Sequence, residues 1–335
     1  MSSPYDAQQP GFAGAHFDQA AQVAHRTEQL CANIGRVIQG KPEVIRNAVI
    51  CLLAGGHLLL EDVPGTGKTS LARALAASLS VTWNRIQFTP DLLPSDVTGV
   101  SIFNQASASF EFRPGPIFAN IVLGDEINRA SPKTQSALLE VMEEGTLSND
   151  ALVYRMPSPF MVIATQNPID MEGTYVLPEA QLDRFLMRLT VGYPTPEAEA
   201  LVLRTQKLGA TVGQLSPVLT ADDVLELMRG VQAVEVAPPI EDYIVAIATA
   251  TRSMTELRLG VSPRGSLALL RAARACAAVT GRSFVTPEDV KAMAPVVLAH
   301  RLILQPDAEL QGRTGTELVN RAVQSVPVPR SFAHR

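Results

Sequence analysis

The segment Val63-Pro64-Gly65-Thr66-Gly67-Lys68-Thr69 combines the residue types that hold a polyphosphate, and it lies between an apolar run and a helical pattern. Glycines let successive backbone N–H groups curve around phosphate oxygens, a lysine reaches the outer phosphates, and a hydroxyl can bind Mg²⁺. The full pattern has glycine where Asp62 stands, but the amides nearest the phosphates come from later residues. We therefore predict a phosphate-binding loop, with Thr69 as a metal ligand, formed by Pro64, Gly65, Thr66, Gly67, Lys68, Thr69 and Ser70.

Two later apolar strand patterns end in polar residues that suit triphosphate hydrolysis. The run Ile121-Val122-Leu123-Gly124-Asp125-Glu126 ends in two carboxylates. Hydrolysis needs one carboxylate near the metal and another that orients and polarises the attacking water, so we assign these roles to Asp125 and Glu126 respectively. The strand pattern at 160–164 continues into Asn167, which could hydrogen-bond the water or the γ-phosphate.

The elements that must position these groups follow from the spacing of apolar residues. Strand patterns at 57–61, 83–88, 118–123, 160–164 and 186–191 alternate with helical patterns at 68–79, 132–144 and near 179. Such alternation indicates an α/β fold with a mainly parallel sheet. Helical patterns at 17–38 and from Pro42 onward precede it, and residues 1–17 are expected to be a mobile leader.

The pattern changes at Tyr193-Pro194-Thr195-Pro196, where two prolines favour an extended linker. Beyond it we find N-cap patterns at Thr220, Ser262 and Thr286 and almost no strand signal. We therefore predict an α/β core over 18–194, a smaller all-helical domain over 195–326 and a tail over 327–335.

Taken in order, the elements VPGTGKT, VLGDEINRA, ATQNP and LPEAQLDRFLMR resemble the MoxR group of AAA+ ATPases, over about residues 30–310. The resemblance implies a five-stranded αβα core with a helical lid, assembled into a ring, usually of six subunits, with ATP at each interface. It makes Lys68 and Thr69 the Walker A pair, Asp125 and Glu126 the Walker B pair, and Asn167 the first sensor.

The resemblance also implies roles for two arginines. Arg184 matches the arginine finger and Arg264 the second sensor. From the residues alone, Arg184 could simply form an ion pair with Asp183 or Glu179, whereas Arg264 stands at a helix start, where a cation opposes the helix dipole and suggests a nearby anion. The resemblance also implies that the adenine base packs against Val37, Ile38 and Gly40. Residues of an ordinary hydrophobic core would give the same sequence pattern at these positions.

Two stretches exceed a minimal nucleotide-binding core, at about 89–116 and 144–156, and both have hairpin character. The first contains Ile102, Phe103, Phe110 and Phe112, and its only basic residue is Arg113. Similar insertions mark the helix-2-insert clade, where they face the ring pore and partners; the alternative is a pair of surface hairpins. Because the first stretch can bury aromatic surface but neutralise few phosphates, we expect it to contact a protein rather than DNA.

Composition narrows the function classes further. The chain of 335 residues has 28 Lys+Arg and 33 Asp+Glu, a formal net charge of -5, which is the wrong sign for a surface that attracts nucleic acid. Its three cysteines match neither a zinc pattern nor a disulfide framework, and neither a signal peptide nor a membrane-spanning run is apparent. We expect a cytoplasmic protein.

The favoured interpretation is a ring-forming, Mg²⁺-dependent ATPase of chaperone type, with ATP as its nucleotide, that remodels, matures or inserts metal into partner proteins. The resemblance implies that the partners are copies of the same chain, a von Willebrand A-domain protein and a client. A DNA-acting AAA+ motor and a magnesium-chelatase-type motor subunit remain alternatives. A nucleotide-bound scaffold without turnover is disfavoured by the residues Lys68, Asp125, Glu126 and Asn167.

Overall fold

The computed structural model describes residues 12–149, 152–167, 175, 177–207 and 212–329. Residues 1–11 of the predicted leader and 330–335 of the predicted tail lie outside the described residues. The first helix, α1 (Phe12–Gly35), begins before residue 17, so residues 12–17 of the predicted leader are helical. The small residues there, Ala13, Gly14 and Ala15, have no apolar periodicity from which a helix could be read.

The first part of the chain is an alternation of helices and strands. In chain order after α1 these elements are α2 (Pro42–Leu53), β1 (Leu58–Glu61), α3 (Lys68–Ala77), β2 (Leu79–Ser80), β3 (Trp83–Gln87), α4 (Pro94–Thr98), β4 (Gly99–Asn104), β5 (Ser109–Pro114), β6 (Ile121–Asp125), α5 (Pro132–Glu144), β7 (Thr146–Asn149), β8 (Leu152–Arg155), β9 (Met161–Gln166), α6 (Glu179–Leu182) and β10 (Met187–Leu189). Five strands form one sheet in the order β10-β1-β9-β6-β3, with every pair parallel. The α/β prediction is confirmed.

The second part is mainly helical. Its elements are α7 (Pro196–Lys207), β11 (Leu219–Thr220), α8 (Ala221–Gln232), α9 (Pro238–Arg252), β12 (Leu257–Leu259), α10 (Pro263–Val279), α11 (Pro287–Leu298), β13 (Ile303–Leu304), α12 (Pro306–Leu310) and α13 (Gly315–Ser325). The all-helical prediction is wrong in detail, because β12 pairs with β13 and β11 pairs with β2 of the first part. Strands of two or three residues are too short to show an alternating pattern.

Helix starts in the second part follow the predicted caps. The Thr220 hydroxyl accepts from the backbone N–H of Asp223, and the Asp223 carboxylate accepts from the N–H of Thr220, which completes a capping box. Thr286 and Asp289 form the same arrangement at α11, and the Ser262 hydroxyl caps α10. These side chains satisfy N–H groups that a helix leaves without partners, so the helices begin where the sequence predicts.

The two faces of the sheet are covered by different apolar layers. Along β1, Leu58 and Leu60 belong to one buried cluster and Leu59 to another, as the alternation of a strand requires. The first cluster continues through α1, α2 and α3 into the buried faces of α9, α10, α11 and α13. The sheet and the helical part therefore share one core.

Both predicted insertions form antiparallel hairpins, β4 with β5 and β7 with β8. The hairpins contact each other, since the rings of Phe112 and Tyr154 lie 4.3 Å apart between centroids and Asn149 donates to the Ser101 hydroxyl at 2.8 Å. The tip at residues 150 and 151 lies outside the described residues.

Within the described ranges, every helix is too short or too polar to cross a membrane.

The junction between α2 and β1 gives a test of the packing. A Cβ at Gly56 would lie 2.3 Å from Cδ2 of the buried Leu186, so we expect Gly56→Ala to lower the free energy of unfolding by about 1–3 kcal/mol. A Cβ at Gly35, in α1, would meet nothing within 4 Å, so Gly35→Ala is the matched control and should raise it slightly, because alanine favours the helix. Urea unfolding measures both, and equal midpoints would contradict the packing argument.

Candidate functional site

The predicted phosphate loop connects the end of β1 to the start of α3. Gly65 and Gly67 have φ angles of +84° and +92°, a conformation that favours glycine, and a Cβ at either would meet nothing within 4 Å. Gly67 is also the N-cap of α3, whose first N–H groups lack partners within the helix. The loop is therefore open on one side, with backbone donors and a helix N-terminus facing an anion site.

Asp62, which stands where the usual pattern has glycine, has a structural role. Its buried carboxylate accepts from the N–H of Val63 at 2.7 Å and from the N–H of Gly192 at 2.5 Å. It thereby ties the loop to the segment after β10. Lys68 donates to the carbonyls of Asp62 and Val63, the second at 2.8 Å, so its ammonium group lies inside the loop.

Asp125 ends β6 and is buried, and its carboxylate has three neighbouring donors. Thr165 donates its hydroxyl proton to Oδ1 at 2.6 Å, Arg85 donates from Nη2 to Oδ2 at 2.6 Å, and the Thr69 hydroxyl lies 3.3 Å from Oδ2. The structure thus brings the two predicted metal ligands together. A hydroxyl and a carboxylate are the hard oxygen donors that Mg²⁺ prefers, so these residues fit the ion.

Glu126 is held in an unusual conformation. Its φ of 56° and ψ of 50° lie in the left-handed region, which is uncommon for a residue with a side chain and is often found at functional sites. Gln87 and Arg129 donate to its Oε2 at 3.1 Å and 3.0 Å, and its N–H donates to the Thr165 hydroxyl at 3.0 Å. These contacts fix the direction of the carboxylate.

Asn167 follows β9 and is buried, and its carbonyl accepts from Asn128 Nδ2 at 3.2 Å. In the parallel sheet, Glu61 of β1 is paired with Gln166 of β9, and β9 is also paired with β6. The loop after β1, the carboxylates at the end of β6 and Asn167 therefore lie at the same edge of the sheet.

The two predicted arginines lie at the opposite edge. Arg184 precedes β10, and Leu186 donates from its N–H to the carbonyl of His57, just before β1. Because β1 rises about 3.3 Å per residue over its length, roughly 10 Å of strand separates this edge from the phosphate loop. The structure does not bring Arg184 together with Lys68, Asp125 or Glu126 of its own chain.

Arg184 and Arg264 share one carboxylate. Arg184 Nε donates to Glu143 Oε2 at 2.8 Å, and Arg264 Nη1 lies 3.1 Å from Glu143 Oε1. The partner of Arg184 is therefore Glu143, at the end of α5, instead of the Asp183 or Glu179 considered from the sequence. Arg264 also lies 3.7 Å from Asp183, so the anion suggested by its place at a helix start is a pair of carboxylates.

The residues predicted to contact adenine lie between α1 and α2. Ile38 and Gly40 line a cavity of about 350 Å³ with mainly apolar walls, whereas Val37 does not line it. Next to them, Lys41 donates to the carbonyl of Tyr193 at 2.7 Å, close to the segment that binds Asp62 of the phosphate loop. The adenine assignment stays a prediction, supported by this proximity.

Several residues of the site escaped the sequence reasoning. Arg85 and Gln87 on β3 and Thr165 on β9 reach Asp125 or Glu126 only because their strands flank β6. The sequence did contain a signal for these residues, because Arg85, Gln87 and Thr165 are polar residues within otherwise strand-like patterns. The strands β3 and β9 that carry them flank β6, which carries Asp125. The contact of Glu143 with both arginines had no local signal.

Comparison with known proteins decides the family. The pattern of the ATPase family associated with various cellular activities (AAA) matches residues 57–187, and that of the AAA lid domain matches residues 249–322. Chaperone MoxR1 of Mycobacterium tuberculosis is 42% identical over 93% of this chain and 84% of its own length. The chain belongs to the MoxR family of AAA+ ATPases. An uncharacterised protein of Bacillus subtilis, YeaC, is 51% identical over 89% of this chain and 93% of its own.

The fold agrees with this MoxR-family assignment. The crystal structure of a presumed ATPase from Cytophaga hutchinsonii superposes with a TM-score of 0.87 and 36% identity, covering 95% of this chain and 99% of that one. This MoxR-family member is an ATPase, with an α/β AAA+ core followed by a helical lid.

The site geometry of this MoxR-family ATPase leads to different predictions for ATP binding and for ATP hydrolysis. We expect Lys68→Ala to abolish ATP binding, because the ammonium group lies inside the phosphate loop. Glu126→Gln should preserve binding and lower turnover by about a hundredfold or more, because an amide cannot accept the proton of water. Equilibrium binding of a fluorescent ATP analogue and steady-state phosphate release measure the two effects. An equal loss of binding in both variants would contradict these roles.

Proposed function

We propose that this ATPase works as a ring of six subunits, the number that the family resemblance implies, in which each ATP site is completed by Arg184 and Arg264 of the neighbouring subunit. The observation that carries the proposal is the separation of the predicted site residues between opposite edges of one sheet. Lys68, Asp125 and Glu126 lie at one edge, and both arginines lie at the other, joined through Glu143. A second copy of the chain can bring the two edges together.

Within such a site, each residue has a defined task. The loop amides and Lys68 bind the phosphates, and Thr69 and Asp125 would hold Mg²⁺, which supplies charge neutralisation on the phosphates. Glu126 accepts a proton from the attacking water. The oxygen of that water bonds to the γ-phosphorus, and the bond between the γ-phosphorus and the bridging oxygen breaks, which releases ADP. Asn167 orients that water, and the arriving guanidinium groups stabilise charge on the transferred phosphoryl group.

The two arginines must leave Glu143 to reach a neighbour's triphosphate. Both ion pairs are partly exposed, with 25% of the Arg184 side chain and 43% of the Arg264 side chain accessible. In leaving Glu143 for the triphosphate, each arginine replaces one anionic partner with another. Exposed ion pairs of this kind contribute little stability, typically about 0–1 kcal/mol. A triphosphate with its higher charge can therefore compete for them.

A mixing experiment tests the trans arrangement. Arg184→Ala should lower turnover by roughly 10³-fold without abolishing ATP binding, because the finger acts on the transition state of the neighbouring site. Mixing Arg184→Ala with Glu126→Gln subunits should restore part of the turnover, since some interfaces then pair an intact base with an intact arginine. Arg264→Ala should behave in the same way.

Arg313→Ala is the matched control, because Arg313 forms an ordinary ion pair with Glu317 in the lid. It should leave turnover unchanged. The absence of recovery in rings that are shown to contain both subunits would rule out the trans role.

We further propose that the ring remodels or matures partner proteins, including metal insertion, and that the paired hairpins contact a von Willebrand A-domain protein. Phe103 and Phe110 form a cross-strand pair with centroids 5.3 Å apart, and they are 51% and 72% exposed. Arg113 is the only basic residue of that insertion. Such a surface can be buried against a protein partner, but it offers few positive charges to the phosphates of DNA.

The free cysteines 31, 51 and 276 support a reducing compartment, and we place the protein in the cytoplasm.

The hairpin surface is tested by replacing Phe103 and Phe110 with Ser. Basal hydrolysis should stay unchanged, because neither ring contacts the ATP site, whereas binding of a von Willebrand A-domain protein should weaken by about tenfold or more. Leu310→Ser, on a lid residue that is 87% exposed, is the matched control and should alter neither. Strong, salt-sensitive DNA binding with DNA-stimulated hydrolysis would instead favour the motor alternative.

A further inference from the structure

The short segment that carries Arg184 is held by two buried side chains from the lid, Arg301 and His300, and the His300 Nε2 atom lies 3.1 Å from the carbonyl oxygen of Phe185. Arg301, which is 8% exposed, donates from Nε to Asp183 Oδ1 at 2.7 Å and from Nη2 to the carbonyl of Phe185 at 2.8 Å. It also donates to the carbonyls of Asp183 and Leu186, at 3.1 Å and 3.3 Å. The rigid, planar guanidinium thus fixes three of the residues that surround Arg184.

The same contacts reach Arg264. Asp183 accepts from Arg301 through one carboxylate oxygen, and its other oxygen lies 3.7 Å from Arg264 Nε. Glu143 in turn binds both Arg184 and Arg264. Arg184, Arg264, Arg301, Asp183 and Glu143 therefore form one network, the arginine network, which spans the AAA+ core and the lid.

The charges of the arginine network suggest that it does more than hold the lid on the core. Three arginines face two carboxylates, so the network has an excess positive charge. His300, which lies next to Arg301, adds none, because burial and the nearby guanidinium hold its pKa well below its usual value. A buried arginine is costly, and an apolar residue could anchor the lid at less cost. An excess of positive charge favours an incoming anion such as the neighbour's triphosphate.

We infer that Arg301 is a positioning residue for hydrolysis in the neighbouring subunit: it sets Arg184 and Arg264 toward that subunit's ATP and couples them to the placement of the lid. The inference rests on the proposed function, since it requires the two arginines to act in trans. Arg301 itself does not contact the nucleotide. Its loss should therefore resemble the loss of Arg184 and leave ATP binding in its own subunit intact.

The test is a complementation experiment with full-length subunits. Arg301→Met should lower kcat by about a hundredfold, the loss expected from a small misplacement of a catalytic group, without changing ATP affinity. Mixing it with Glu126→Gln subunits should restore turnover, whereas mixing it with Arg184→Ala subunits should not. Arg301→Lys should recover only part of the activity, because a lysine ammonium cannot donate in the directions of the guanidinium plane.

Two further variants keep the result interpretable. Asp183→Asn keeps the size of the side chain and should fall into the same complementation group even if Arg301→Met folds poorly. Arg282→Met is the matched control, because it removes a lid arginine that binds the buried Asp289 at 2.5 Å away from the arginine network. Arg282→Met should lower the stability of the protein, but it should not fall into the complementation group of Arg184→Ala.

The outcomes separate this inference from the proposed function. If Arg184→Ala and Glu126→Gln complement each other while Arg301→Met and Asp183→Asn are not rescued by Glu126→Gln, the trans site stands and the positioning role is wrong. Rescue of Arg301→Met by Arg184→Ala would also overturn it. If Arg184→Ala and Glu126→Gln fail to complement in mixed rings, both the proposed function and this inference are overturned.

Discussion

The parallel pairing of β1, β9 and β6 is the constraint on which the site depends. Pairing places Glu61 beside Gln166 and Gly124 beside Ala164, so the three strands end at one edge. The phosphate loop, Asp125 and Asn167 follow those ends, and the hydrogen bond from the Thr165 hydroxyl to Asp125 joins two of them. A shift of one residue in this register would turn each side chain to the other face of the sheet.

The same constraint explains why one chain does not contain a complete set of predicted residues at one place. Arg184 precedes a strand, whereas Lys68, Asp125 and Asn167 follow strands, and parallel strands keep their two ends apart. In the proposed ring, hydrolysis then depends on assembly, because each subunit supplies phosphate-binding groups at one edge and arginines at the other. The acidic Glu143 gives these arginines a partner within their own subunit.

Local sequence patterns predicted the features that depend on local physics. Strand alternation, the hairpins, and the caps at Thr220 and Thr286 were all predictable, because neighbouring residues determine them. Contacts between distant residues were not predictable: Arg85 reaches Asp125 across 40 positions of sequence. Such a pair requires the strand order, which the periodicity of single strands does not contain. The domain boundaries and the adenine contacts remain predictions for a related reason, since both depend on how separate elements pack.

The lid is joined to the core in two physically different ways. The shared apolar cluster is non-directional, so α10 and α11 could slide on α2 and β10 with only gradual loss of contact. Arg301 is directional, because its hydrogen bonds to Asp183, Phe185 and Leu186 exist in one orientation only. A lid that moves must either take the Arg184 segment with it or break the hydrogen bonds of Arg301 to the core, which would leave the guanidinium only its partners within the lid, Val297 and His300. The second alternative is the more costly, because it leaves buried donors unsatisfied. In the positioning role inferred for Arg301, movement of the lid therefore also changes the placement of Arg184 and Arg264.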